Sequence, residues 1–296
     1  MAMEEKQGLL LQGIGGFYYV ESDGVVYECK ARGSFRKTKQ KPLAGDHVTI
    51  LLEDGGVTVT EIHPRKNSLI RPPLANLDQL FLISSVCDPA PNLTVLDKMI
   101  AVAEDKGIDP IVVLTKNDLQ DGNEVAEIYR NAGIPVLLVG TDRKDGIAEI
   151  RARLAGKISA FAGNTGVGKS TLLNRISAAF ARETGEISQK LGRGRHTTRS
   201  VELLKLESGG YVADTPGFST VDIERYDMVK KERLQYAFRE FEPYLGQCKF
   251  QSCNHVGEKG CAVCAAVTEG KIALSRHESY VAMFNEVKDI KEWQRK

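Results

Sequence analysis

The chain of 296 residues carries 40 Lys and Arg against 39 Asp and Glu, a formal net charge of +1, and 42% hydrophobic residues. That apolar content is ample for packed cores and excludes an intrinsically disordered chain; the balanced charge excludes a whole-molecule pull on nucleic acid, leaving only local patches for phosphate. No stretch approaches the roughly 18 apolar residues of a membrane span, and Met1-Ala2-Met3-Glu4-Glu5-Lys6 lacks a basic start followed by an apolar run, so a soluble, cytoplasmic protein with no membrane partner is expected.

From Gly8 to about Arg71, apolar stretches alternate with turn signals. Phe17-Tyr18-Tyr19-Val20, Val25-Val26-Tyr27-Glu28-Cys29, His47-Val48-Thr49-Ile50-Leu51 and Val57-Thr58-Val59-Thr60-Glu61-Ile62 are set off by Gly15-Gly16, Ser22-Asp23-Gly24, Gly45-Asp46 and Asp54-Gly55-Gly56. Roughly five short strands predict an OB-type β-barrel, a fold whose face and loops commonly meet oligonucleotides. Lys30, Arg32, Arg36, Lys37, Lys39 and Lys41 crowd one loop, and Arg65, Lys66 and Arg71 lie just before the next domain. On such a barrel the basic run reads as an RNA-binding surface. Tyr18, Tyr27 or Phe35 could stack on bases, although most aromatics of so small a domain belong to its core.

Arg71-Pro72-Pro73-Leu74-Ala75-Asn76 marks a boundary. Beyond it, strand Gln79 to Val86, helix Leu93 to Lys106 closed by Gly107, strand Ile111 to Leu114, helix Asn123 to Ala132 and strand Val136 to Val139 follow one another. This alternation predicts a parallel sheet covered on both faces. After the second of these strands stands Thr115-Lys116-Asn117-Asp118. The Asp118 carboxylate can accept hydrogen bonds from guanine N1–H and the N2 amine, a pattern adenine does not supply, and Lys116 can lay its stem along the purine. The usual form is N-K-x-D; Thr115 keeps a hydroxyl but loses an amide donor, which puts part of the loop-bracing role in question. Gly140-Thr141 is expected near the base.

Ile158-Ser159-Ala160-Phe161-Ala162 reads as a buried strand entering Gly163-Asn164-Thr165-Gly166-Val167-Gly168-Lys169-Ser170, with Thr171-Leu172-Leu173 opening a helix. The pattern G-x-x-x-x-G-K-[ST] lets successive backbone N–H groups close around phosphate oxygens. Lys169 then reaches the β/γ-phosphates and neutralises their charge, while Ser170 binds Mg²⁺. Gly192 to Arg199 is too glycine-rich and charged for a packed element and reads as a switch segment, in which Thr197 and Thr198 are equal candidates for the Mg²⁺ shell. The strand Tyr211-Val212-Ala213-Asp214 ends in D-T-P-G, where Asp214 would hold Mg²⁺ through water and the Gly217 amide would sense the γ-phosphate. The next residue is Phe218, whose apolar side chain cannot orient a water. Slow intrinsic hydrolysis follows, with His196 the nearest candidate for that task by chemistry; capping a turn or touching an RNA phosphate are its alternatives.

Past Glu224, amphipathic helical sequence leads to Cys248-x₄-Cys253-x-His255-x₅-Cys261, with Cys264 close behind. Thiolates plus an imidazole at this spacing suit a structural, tetrahedral Zn²⁺, and five candidates compete for four places. Tyr280, Met283, Phe284, Val287 and Ile290 then recur at helical spacing as a packing stripe.

The order of these motifs is itself informative. The base motif precedes the phosphate loop, as in a GTPase whose chain has been cut and rejoined. With the N-terminal β-domain, T-K-x-D, G-x-x-x-x-G-K-S, R-H-T-T, D-T-P-G and the C-terminal Cys/His cluster in sequence, the chain resembles the circularly permuted GTPases, and within them the ribosome small-subunit-dependent GTPase A family. The resemblance covers nearly the whole chain. It implies a multidomain α/β protein: an OB-type barrel over residues 1–72, a circularly permuted P-loop GTPase domain over 73–223 and a helical zinc-binding domain over 224–296. It also favours Cys248, Cys253, His255 and Cys261 as zinc ligands, His196 in catalysis, and GTP with Mg²⁺ as the nucleotide. The implied role is that of a monomeric assembly factor that binds the small ribosomal subunit and its rRNA, is stimulated by the subunit and leaves on hydrolysis to GDP.

Overall fold

The computed structural model describes residues 3–32, 35, 41–141, 144–176, 201–214 and 228–290. It divides into two compact units, one of Met1–Gln79, Arg151–Phe161 and Ser170–Phe218, the other of Leu80–Ile150, Ala162–Lys169 and Ser219–Lys296.

The first unit holds the barrel. β1 (Glu4–Ile14), β2 (Phe17–Ser22), β3 (Val25–Ala31), β4 (His47–Glu53) and β5 (Gly56–Ile62) run in the order β1-β2-β3-β5-β4, and β4 closes the ring by pairing back on β1. The sequence pattern missed β1, because Glu4 to Gly8 shows no clean alternation. The strand spends its first half on β4 (Glu4↔Leu52 to Leu9↔His47) and its second on β2 (Leu9↔Glu21 to Ile14↔Phe17). Leu10, Val20, Cys29, Val48, Ile50, Val59 and Ile62 fill the core, with Tyr18, Tyr27 and Phe35 packed half-buried against it. Those three rings therefore serve the barrel interior more than an outer surface. The basic group also resolves into separate roles. Arg65 makes a two-pronged bond to the buried Asp46 (2.6 and 2.8 Å) and donates to the Lys41 carbonyl, while Lys66 pairs with Asp78. Lys30, Arg32 and Lys41 remain exposed; Arg36, Lys37 and Lys39 lie outside the described residues.

Also in this unit, the short β6 (Ser68–Leu69) pairs antiparallel with β7 (Leu74–Ala75), and the hairpin of β12 (Glu202–Lys205) and β13 (Tyr211–Asp214) joins the barrel through Gln12↔Glu202. β13 lies parallel to β11 (Ile158–Gly163), pairing Ile158↔Tyr211 and Ala160↔Ala213, so both strands finish at the same end.

In the second unit, β8 (Gln79–Ser85), β9 (Asp109–Thr115) and β10 (Val136–Leu138) are ordered β10-β9-β8, with β9 and β10 parallel. α1 (Leu93–Asp105) begins at Asn92, whose side chain accepts from the Val95 amide at 3.1 Å; α2 is Asn123–Asn131. α3 (Lys144–Leu154) and α4 (Lys169–Ile176) each pass from this unit into the first. The C-terminal part contains α5 (Lys231–Leu234), two short 3₁₀ turns, α6 (Ala262–Thr268) and α7 (Leu274–Val287). It is fastened to α1 by ion pairs Arg276–Asp97 (2.7 Å), Lys98–Glu286 (2.8 Å), Arg233–Asp105 (2.6 Å) and Arg239–Glu104. Among the described residues, no helix is long and apolar enough to cross a membrane.

Candidate functional site

The base motif sits where β9 ends, at the carboxyl edge of the strands, where open α/β sheets place their ligands. The Asn117 amide bonds the Val139 carbonyl (3.1 Å), and its side-chain oxygen accepts from the Gly122 amide (2.9 Å), so this buried asparagine shapes the turn rather than facing a ligand. Asp118 stands exposed beyond it. A Cβ added at Gly140 would lie 2.9 Å from Asp118 Oδ1 and 3.0 Å from its Cβ, so Gly140 lets the carboxylate settle against the end of β10.

The phosphate loop leaves β11 with the same economy of space. A Cβ on Gly163 would meet the Ile83 carbonyl at 2.6 Å, and Gly166 and Gly168 hold φ of 83° and 86°, which side-chain-bearing residues rarely adopt. Val167 is buried, whereas Asn164, Thr165 and Gly166 are exposed and Lys169 is half-buried at the start of α4. Ser170 and Thr171 follow, exposed, in its first turn.

A hydrogen bond joins the two sequence blocks. Thr115 Oγ1 donates to the Val167 carbonyl at 2.6 Å, and the Thr115 side chain is buried there. The threonine thus braces the phosphate loop by its hydroxyl, which answers the question raised by the missing amide. Residues 52 positions apart meet because β9 and the end of β11 belong to one compact unit. The motif's lysine, at φ 58°, sends its ammonium to the Asp88 carbonyl. The loop after β8, which holds Pro89, Pro91 and Asn92, was not singled out from sequence.

His196, Thr197, Thr198 and Gly217 lie outside the described residues, as does the side chain of Asp214 at the end of β13.

The Cys/His cluster is built around a turn. Glu258 accepts from the amides of Asn254 (2.8 Å), Val256 (2.9 Å) and Gly257 (3.2 Å), holding the knuckle in shape; nothing in the spacing pointed to it. The ligand atoms of Cys248, Cys253, His255 and Cys261 lie within 4.8 Å of one another. His255 Nδ1 is 3.5 Å from Cys248 Sγ and 3.4 Å from Cys261 Sγ, and those sulfurs are 3.9 Å apart. Donors on a tetrahedron about 2.0–2.3 Å from its centre are about 3.3–3.8 Å apart, so the set fits one small metal ion. Gln235 Oε1 accepts from His255 Nε2 (3.0 Å), leaving Nδ1 bare toward the thiols. Amides of Ala262 and Cys264 donate to Cys248 Sγ (3.3 Å) and Cys261 Sγ (3.4 Å). Burial pushes the Cys253 thiol up to about 12 and the Cys261 thiol to about 11, so a cation is what would make thiolates of them. Cys264 Sγ instead faces the His255 carbonyl (3.9 Å) and His277 Nε2 (3.8 Å).

The model of the RsgA GTPase family matches residues 62–224, and that of the RsgA N-terminal domain residues 7–59. A protein of Alkaliphilus metalliredigens called small ribosomal subunit biogenesis GTPase RsgA is 46% identical over 288 residues, covering 95% of this chain and 98% of that protein. One of the same name from Caldanaerobacter subterraneus subsp. tengcongensis is 46% identical over 292 residues, covering 97% of each. The crystal structure of YjeQ from Thermotoga maritima is similar with a TM-score of 0.80 at 34% identity, over 97% of this chain and 100% of that one. That of YloQ, described as a circularly permuted GTPase, gives 0.79 at 37% identity, over 97% and 96%.

Proposed function

The chain belongs to the RsgA family of GTPases, and from that premise we propose that it spends GTP on the maturation of the small ribosomal subunit. The observation that carries the reading is the Thr115–Val167 bond, because it ties a guanine-type base motif to a phosphate loop of reversed sequence order. On this reading Asp118 reads guanine, Lys116 covers the purine, and the amides of Gly163 to Thr171 cradle the phosphates. Lys169 neutralises the β/γ-phosphates, while Ser170, Asp214 and either Thr197 or Thr198 hold Mg²⁺. Gly217 senses the γ-phosphate. Since Phe218 cannot orient water, His196 or the bound subunit does so, and hydrolysis to GDP lets the protein leave. The exposed Lys30, Arg32 and Lys41 of the barrel suit rRNA phosphates. Residues 1–72, 73–223 and 224–296 form the RNA-binding, GTPase and zinc-binding domains of a cytoplasmic monomer.

GTP turnover measured alone and with purified small subunits, at low and high salt, tests this. Slow turnover alone, accelerated at least about tenfold by subunits and less so at high salt, is expected. Turnover indifferent to the subunit would contradict the proposal.

The metal cluster is proposed to hold one structural Zn²⁺ through Cys248, Cys253, His255 and Cys261. Four protein donors would satisfy a tetrahedral ion without a substrate position, so it would serve the fold, joining the Glu258 knuckle to the Gln235 turn through His255. Cys253→Ser is expected to lose the metal, by elemental analysis, and to lower the melting temperature by about 10 °C. Cys264→Ser should do neither, and the opposite ranking would reassign the fourth ligand.

A further inference from the structure

We propose that Ser85 is a positioning residue of the base pocket, setting the Lys116 ammonium through the loop that follows β8. Asp88 in that loop holds φ at 37°, a left-handed conformation uncommon for a residue with a side chain although Asp tolerates it better than most. A contact that holds the loop in this shape is close by. Ser85 is fully buried at the end of β8, and its Oγ donates to the Pro89 carbonyl at 2.6 Å. Fixing Pro89 fixes the carbonyl of Asp88 one residue earlier, and it is this carbonyl that accepts from Lys116 Nζ. Pro89 also reaches the other half of the pocket, since its Cδ would be 3.6 Å from a Cβ on Gly166. At the root of the loop, the Val86 amide bonds the Thr115 carbonyl at 3.1 Å, and Thr115 Oγ1 lies 3.3 Å from the Ser84 carbonyl. A single buried hydroxyl therefore holds a wall that touches the base lysine on one side and the phosphate loop on the other.

The inference rests on the reading of Lys116 as the cover of the purine. A lysine stem is flexible, and holding its ammonium at a fixed carbonyl removes the rotamer freedom it would otherwise lose on nucleotide binding. Because the contact lies at the base end, GTP and GDP should feel it alike.

The test is a double-mutant cycle on the full chain, with affinities for GTP and GDP measured by fluorescent analogues for Ser85→Ala, Lys116→Ala and both together. Ser85→Ala is expected to weaken both nucleotides about fivefold, and to weaken them no further once Lys116 is already Ala. Losses that multiply in the double variant would show a hydroxyl that only supports the fold, and would overturn the inference while leaving the pocket intact. Lys116→Ala binding as tightly as the wild type would instead defeat the reading of Lys116 itself. Should Ser85→Ala not fold, Ser85→Cys, which keeps the volume and a weaker donor, takes its place in the same cycle.

Discussion

Replacing Arg276 by Met is expected to lower the stability of the second unit by about 3–5 kcal/mol, the cost of leaving buried carboxylates without their cation. Arg276 on α7 is 1% exposed and bonds Asp97 of α1 at 2.7 Å through Nη1; its Nε and Nη2 bond Glu240 at 2.7 and 3.1 Å. Its guanidinium also lies 4.5 Å from the centre of the Phe238 ring. Burial already holds the Asp97 carboxyl above its ordinary range, outweighing the opposing pull of Arg276. Without the guanidinium that shift grows. A group whose folded pKa is raised contributes stability when protonated and loses it as pH rises through the folded value, so the variant's deficit is largest near neutrality and shrinks toward roughly pH 4. Calorimetry of Arg276→Met across that range, and of Arg276→Met/Asp97→Asn, checks both points. The double variant should recover at least half of the loss, and a deficit independent of pH would argue against a buried unpaired carboxylate.

The consequence for function is mechanical. Four ion pairs tie α1 to the C-terminal segment, so the Cys/His region and the strands β8 to β10 belong to one compact unit. A displacement driven by the nucleotide would carry them together.

How much of this was legible in the sequence depends on whether a residue's role is local. The strands of the nucleotide-binding half and the helices α1 and α2 were visible to within a residue or two, because their apolar runs are long and their ends carry Asn92, Gly107 and the motif turns, whereas α3 was not read from the sequence. The phosphate loop and the Cys/His spacing are local patterns as well. β1 was not legible, since its pairing with two partners replaces alternation with a switch of neighbours halfway along. Ser85, Glu258 and Gln235 were invisible for a related reason: each acts on backbone or on a ligand residue through a contact that only the fold creates. Arg276 did leave a trace. It occupies the same helical stripe as Tyr280, Met283 and Val287, and an arginine on a buried stripe implies a carboxylate facing it. Phe284 and Ile290, read as part of that stripe, are only half-buried: Phe284 sits one residue round the helix from Met283, at the flank of the stripe, and Ile290 lies past the end of α7 at Val287.

The second large effect concerns Asp118, whose carboxylate is proposed to distinguish guanine from other purines by accepting from its N1–H and N2 amine. Exchanging it for Asn turns an acceptor into a side chain that offers an amine toward the purine's N1 and C2 edge. Guanine, with its own donors there, then meets a donor, while xanthine presents an oxygen at C2 and gains a partner. The exposure of Asp118 keeps the cost to folding small, so affinity reports the contact itself. The decisive measurement is the binding of GTP, XTP and ATP to the wild type and to Asp118→Asn under identical salt and Mg²⁺. A loss of GTP affinity of about a thousandfold, with XTP becoming the preferred nucleotide, is the expected result. GTP bound equally well by both forms would mean that the block before the phosphate loop does not read the base, and that the reversed pocket is not where guanine sits.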